Sequence, residues 1–320
     1  MLSLISHLGV YIDVFWYFLL LITAAAGAFT ILGFFAKLWW LLDILDHFRV
    51  QYLFILAVSG IILLLGGKSI EALVSFIMAV INLATIVPLY IPPEGRLNKH
   101  VQIYKLLIVN VLCQNKQIAQ VGELVISESP DIILLLEPDE YWLCELKKYL
   151  IEYSYTCTQP REDNYGIAFL SRIPVERMEI YCFGELQIPS IEALIKFPDT
   201  SLSLIGTHLT PPKGSLNTHF RTKQLHDLSY YVRNTENAVM ICGDFNLTPW
   251  SVYFRHFTKE TGLSDSTKGF GLQPTWPICF APIRIPIDHC LVSPGIKIVS
   301  RKTGSRIGSD HLPVVIDFSV

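Results

Sequence analysis

Residues 242–250 read "CGDFNLTPW". The apolar run "AVMI" at 238–241 comes before them and has the look of a buried strand, which Gly243 breaks. Asp244 and Asn246 therefore fall where a strand gives way to a loop. Asp, Asn, Thr and Pro all form turns, so on this stretch alone a turn and an active site are equally good readings. The rest of the chain has to decide between them.

Upstream, "YKLLIVNVL" (104–112) is a strongly apolar strand. Ile118, Val121, Leu124 and Val125 then share one face of a helix. Pro130 ends that helix, and "DIILLLE" (131–137) is a second buried strand, giving a β-α-β start. Short strands follow at 166–171, 191–197, 202–209, 240–244, 287–293 and 312–318, with a polar, periodic helix over 217–234. This alternation predicts an α/β domain with mixed sheets, two of them packed face to face. Polar groups recur at the strand ends: Asn110, Glu137, His208, Asp244, Asn246, Asp288, His289, Asp310 and His311. Singly, each reads as a cap, a solvated residue or turn chemistry. Together they set acidic, amide and imidazole groups where one edge of a sandwich can gather them.

The N-terminal part is of another kind. Hydrophobic residues make up 51% of the 320, and the excess is concentrated at this end. Charge-free spans lie at about 14–36, 50–67 and 72–91, and about 20 apolar residues suffice for a helix to cross a bilayer. No basic residue precedes the first span and two more spans follow it, so the segment reads as membrane domain rather than signal peptide. Basic residues near the span ends (Lys37, Arg49, Arg96, Lys99 and Lys105 against Lys68) put the C-terminal part in the cytoplasm. Trp39, Trp40 and Tyr90 suit the interfacial belt. The spans hold no ionisable group, which argues against a transport pathway. The organisation is thus a membrane domain (1–93) ended by the helix-breaking "PP", a short polar linker (94–100), and one domain over 101–320.

Composition bounds the chemistry further. All seven cysteines lie beyond residue 112, without a CxxC pair, so a disulfide framework or a zinc site has poor support. The first 93 residues hold three basic and four acidic groups out of 25 and 28 in the chain. The C-terminal domain is therefore nearly neutral with a slight acidic excess.

"NV" at 110–111, Glu137, "GTHL" at 206–209, "GDFN" at 243–246, "IDH" at 287–289 and "GSDHLP" at 308–313 occur in an order that resembles the endonuclease/exonuclease/phosphatase superfamily. The likeness covers nearly all of 101–320. The stretches "NYGIAFLSR" and "GFGLQPTWP" look like a bacterial branch with an N-terminal membrane segment. The resemblance implies a four-layer α-β-β-α sandwich, preceded here by three transmembrane helices, with a Mg²⁺ site (Mn²⁺ as a substitute) on one rim. It implies that Glu137 ligates the metal with support from Asn110 and Asp310. Asp244 would orient or deprotonate the attacking water, and Asn246 and His208 would contact phosphate. His311 would share the charge of the scissile phosphate, held in place by Asp288. Trp276 would line the cleft. Two positions depart from the family pattern: Leu136 stands where a Gln usually precedes the strand-end Glu, and Leu112 where abasic-site nucleases carry an Asp.

These expectations add up to a membrane-anchored, Mg²⁺-dependent phosphoester hydrolase. A near-neutral domain is poorly suited to duplex DNA, and tethering raises the effective concentration of membrane-bound substrate. Lipid headgroups are therefore the first substrate class and nucleic acid the second, with a non-catalytic membrane scaffold as the reading from another class. The expected partners are the lipid bilayer and a phosphoester substrate, with no obligate protein partner. The expected place is the bacterial inner membrane, multi-pass, with the catalytic domain in the cytoplasm.

Overall fold

The computed structural model describes residues 2–93, 102–198 and 200–320. The expected linker (94–100), including Arg96 and Lys99, lies outside these residues. The chain divides into two compact units, Met1–Pro88 and Leu89–Val320.

The first unit is built of α1 (Leu2–Leu32), α2 (Trp40–Asp46), α3 (Arg49–Leu65) and α4 (Ser69–Ile86). Two stretches, Val10–Leu38 and Ser69–Tyr90, are long and apolar enough to cross a membrane. Between them α2 and α3 form a pair bent by 64°, which makes a third span only if it crosses as one.

The bend carries polar groups that the sequence reading left at the interface. Asp46 and Arg49 are both fully buried and paired with each other. Arg49 Nη1 also donates to the Thr30 carbonyl at 2.6 Å, and its guanidinium lies 4.1 Å from the centre of the Phe34 ring. Asn82 Nδ2 donates to Thr30 Oγ1 at 2.8 Å. One buried network thus ties α1, α3 and α4 together. Arg49 is therefore a structural cation and not one of the headgroup-facing charges in the orientation count. Its replacement by methionine takes the buried Asp46 carboxylate's cation away. The expected loss is about 3–5 kcal/mol, read from denaturation of the full chain in micelles.

The second unit runs β1 (Tyr104–Asn110), α5 (Ile118–Glu128), β2 (Ile132–Leu136), α6 (Glu140–Leu146), β3 (Tyr155–Gln159), β4 (Ile167–Ser171), β5 (Val175–Cys182), β6 (Pro189–Lys196) and β7 (Ser201–His208). It continues through α7 (Ser215–Arg233), β8 (Ala238–Asp244), α8 (Val252–Thr261), β9 (Ser264–Asp265), β10 (Asp288–Val292), β11 (Lys297–Thr303) and β12 (Val314–Ser319). Two six-stranded sheets result, ordered β11-β12-β1-β2-β4-β3 and β5-β6-β7-β8-β10-β9. The pairs β1/β2 and β7/β8 are parallel.

The two-residue period of a strand assigns the faces. Leu106 and Ile108 of β1 enter the core between the sheets with Leu134, Leu204, Met240 and Ile316. Leu107 and Val109 point the other way, onto Val121 and Val125 of α5 and Trp142 of α6. On the second sheet Ile205 and Ile241 face Leu228 of α7 and Phe254 of α8. The layers are therefore α-β-β-α, as the resemblance implied. At Gly206 the sheets approach so closely that a Cβ would lie 2.3 Å from Leu134 Cδ1.

Candidate active site

The topology brings the strand-end groups to one rim. Because β1 and β2 are parallel, Asn110 ends one strand beside Leu136, and Glu137 follows directly. Because β7 and β8 are parallel, His208 and Asp244 end side by side. The antiparallel β10 begins at this rim, with Asp288 opposite Asp244. His311 leads into β12, which runs antiparallel to β1.

Tight backbone fixes the details. Gly243 has φ 143°, and a Cβ there would lie 1.8 Å from the Thr207 carbonyl oxygen. Asn246 and Glu137 adopt left-handed φ values of 50° and 65°. Asn tolerates this region and Glu does so at a cost, a pattern that clusters at functional sites. The Asn246 N–H donates to Asp244 Oδ1 at 2.8 Å, so the turn that "GDFN" could have been is present and holds the carboxylate as well.

Asp244 is the hub. Its Oδ2 lies 3.4 Å from His208 Nε2, 3.7 Å from His311 Nε2 and 3.4 Å from Asn110 Nδ2. His311 Nδ1 pairs with Asp288 Oδ2 at 2.8 Å. Asn110 Nδ2 donates to Glu137 Oε1 at 2.9 Å, while its Oδ1 accepts the Leu112 N–H at 3.1 Å. Asn246 Nδ2 donates to the Leu209 carbonyl at 2.8 Å and lies 3.4 Å from His208 Nε2. Asp310 Oδ2 accepts the Trp276 indole N–H at 2.9 Å, so this carboxylate braces the indole. The Trp276 ring centre is 6.4 Å from that of His311. His289, by contrast, is fully buried against the Leu247 carbonyl at 2.8 Å.

The electrostatics follow from burial opposed by pairing. Burial alone pulls His311 down, but Asp288 by charge and hydrogen bond, with Asp244 and Asp310, lifts it to about 10. Burial also works against charged His208, yet Asp244 and Glu137 hold it above its ordinary value. Burial raises Asp244, but His208 and His311 outweigh it and keep the carboxylate below the usual range. Glu137 goes the other way, pushed up chiefly by burial against the pull of His208 and Asn110.

The donor set suits a hard divalent cation near Glu137. This side chain is 7% exposed, and its Oε2 is buried with no hydrogen-bond partner. A raised, half-satisfied carboxylate beside other acids is what a bound cation relieves, and oxygen donors favour Mg²⁺. Asn110, which turns its amide nitrogen to Glu137, holds that carboxylate in place. Among the described residues, Asp244, Asp288 and His311 also bring potential ligand atoms within 4.8 Å of one another. The Asp288–His311 hydrogen bond already occupies part of that group.

Three residues that hold the site escaped the sequence reading. Gln224 Oε1 accepts from Thr210 N at 3.0 Å and Thr210 Oγ1 at 2.7 Å, clamping the loop after His208. Arg221 Nη1 donates to the Asn246 carbonyl at 3.2 Å. The Tyr165 ring stands 5.3 Å from that of His208. Arg221 and Gln224 share the buried face of α7 with Leu225, Leu228 and Val232. Polar side chains on the apolar stripe of a helix were the available signal.

Residues 107–311 match the Endonuclease/Exonuclease/phosphatase family. Among solved structures, the chain is similar to TDP2 of D. rerio complexed with a single-strand DNA product. That match has 19% identity, 68% of this chain and 100% of that one covered, and a TM-score of 0.58. The human Nocturnin catalytic domain with bound sulfate matches at 21% identity, over 68% and 94% of the two chains, with a TM-score of 0.56. An endonuclease/exonuclease/phosphatase from Beutenbergia cavernae matches at 18% identity, over 68% and 72%, with a TM-score of 0.55. No curated protein matches the sequence.

Proposed function

The chain belongs to the endonuclease/exonuclease/phosphatase family and is a phosphoester hydrolase, and from that premise we propose a membrane-anchored, Mg²⁺-dependent enzyme acting on lipid phosphoesters. The observation that carries the reading is Asp244, set among two imidazoles and two amides beside the unpartnered oxygen of Glu137. The lipid assignment rests on the long apolar helices of the first unit and on the slight acidic excess elsewhere.

In the proposed mechanism Glu137 would hold a Mg²⁺ ion, which would supply Lewis-acid polarisation at the phosphoryl group. The protein's own groups do the rest. Asp244 stays ionised, its Oδ1 fixed by the Asn246 N–H, and its Oδ2, facing His208, His311 and Asn110 at 3.4–3.7 Å, orients a water and accepts its proton. His311, protonated at neutral pH, opposes the charge that builds on the phosphoryl oxygens. His208 and the Asn246 amide add donors on the other flank. The Asp310-braced Trp276 shapes the wall of the cleft.

One consequence concerns pH. Protonated His311 persists below its pKa of about 10 and is lost above it. Asp288→Asn removes the strongest partner of the imidazolium, so the pKa falls towards the ordinary His value of about 6.5. The alkaline limb of kcat/KM is expected to move down by more than one pH unit in that variant. An unmoved limb in a pH–rate profile would remove His311 from the charge-sharing role.

The substrate class is tested with the full chain in nanodiscs and Mg²⁺, offered phospholipids and phosphoinositides in the bilayer and supercoiled plasmid in solution. Headgroup phosphate or phosphoester release without plasmid nicking is expected. Nicking that disappears in Asp244→Ala, with lipids untouched, would make the enzyme a nuclease.

A further inference from the structure

Arg301 lies on β11, the outer strand of the first sheet, yet it is only 4% exposed. Its guanidinium reaches across to β10 of the second sheet and to the segment that joins β9 to β10. Nη2 donates to the Asp288 carbonyl at 2.9 Å and Nε to Ser266 Oγ at 3.1 Å. Nη1 donates to Gln273 Oε1, and Gln273 Nε2 returns a bond to the Arg301 carbonyl at 2.7 Å. The charges facing the guanidinium are Asp265 and Asp288, with the thiols of Cys242 and Cys290. A buried guanidinium is expensive unless its donors are matched, and here all three nitrogens are.

Two of the three acceptors lead to the site. Asp288 holds His311 through its Oδ2. Gln273 lies two residues before Thr275, whose Oγ1 accepts from Ile287 N at 3.3 Å and Asp288 N at 3.4 Å. The Thr275 carbonyl accepts from Leu312 N at 3.0 Å, directly after His311. Trp276 comes next and donates to Asp310. One side chain thus pins the backbone of the residue that orients His311 and the loop that carries the cleft wall.

We propose that Arg301 is a positioning residue for hydrolysis, acting through the Asp288–His311 pair and through the Trp276 loop without touching substrate. The inference rests on the hydrolase reading of the same rim. A planar fork is required, because a lysine at this position is a point charge that cannot span three acceptors.

The test is a double-mutant cycle on the full chain with Mg²⁺ and bis(p-nitrophenyl) phosphate. Arg301→Met is expected to lower kcat/KM about 100-fold, the cost of displacing catalytic groups by about 1 Å. Arg301→Lys should remain more than about tenfold down. In an Asp288→Asn background, Arg301→Met should cost less than about threefold, because its main route is already cut. Gln273→Met, which frees the loop but leaves Asp288 pinned, should raise KM with kcat nearly unchanged, and it decides the matter if Arg301→Met does not fold. An equal cost in both backgrounds would overturn the inference, as would a Gln273→Met enzyme with wild-type KM. A wild type that turns over no phosphoester overturns the hydrolase reading and this inference with it.

Discussion

Asp244→Asn is expected to lower kcat by about 10³–10⁴-fold, the scale of a lost general base, with little change in the unfolding midpoint. The substitution keeps the shape and the Oδ1 contact to the Asn246 N–H. It removes the negative charge that His208 and His311 both face at Oδ2. An amide nitrogen in that place would turn its N–H groups towards two imidazoles and could not accept a proton from water. The effect should appear in kcat, because the carboxylate acts on the attacking water rather than on the bound phosphoester. A variant within tenfold of wild type would move the chemistry away from this residue.

Glu137→Gln should have the second largest effect. The wild-type carboxylate is buried with one oxygen held by Asn110 and the other without a partner. The amide variant keeps a hydrogen-bonding side chain and removes the charge that a hard cation requires. Activity at fixed Mg²⁺ is expected to fall about 10³-fold, the loss of several kcal/mol of charge stabilisation. Part of it should return at high Mg²⁺, because the remaining oxygens still bind weakly. Calorimetry with Mg²⁺ checks this independently of turnover: a wild-type binding isotherm that is flat in the variant is expected. Identical isotherms would place the cation elsewhere.

The legible part of the fold has a simple physical boundary. All eight strands read from apolar runs are interior strands of the two sheets, among them "DIILLLE" and "AVMI". The four that were missed, β3, β5, β9 and β11, are the four sheet edges. Edge strands face water along one side, so "YTCTQ", "VERMEIYC" and "KIVSRKT" alternate or mix polar residues and carry no continuous apolar signal. The short α6 and α8 were lost for a related reason, since 7 and 10 residues give little periodicity to detect.

The site divides in the same way. Asn110, Glu137, His208, Asp244, Asp288 and His311 were visible as polar residues at the ends of apolar runs, and strand ends are where two parallel pairs must converge. Their mutual contacts needed the sheet order, which no local pattern contains. Arg221, Gln224 and Arg301 are harder to single out, because a polar residue in a helix or an edge strand reads as solvated unless its place on an apolar stripe is noticed. Each is buried here by contacts to other elements and loops, at least 13 residues away. Arg49 was misread by the same rule: beside an apolar span an arginine reads as interfacial, whereas Asp46 and the Thr30 carbonyl draw it inside.

The most direct measurement is hydrolysis of bis(p-nitrophenyl) phosphate by the full chain in micelles, with Mg²⁺ and then with EDTA, beside Asp244→Asn at a matched unfolding midpoint. The expected result is turnover with Mg²⁺ that EDTA abolishes, Mg²⁺ restores, and Asp244→Asn lacks. Turnover that survives EDTA, or that Asp244→Asn retains, would contradict a metal-dependent hydrolysis centred on this aspartate.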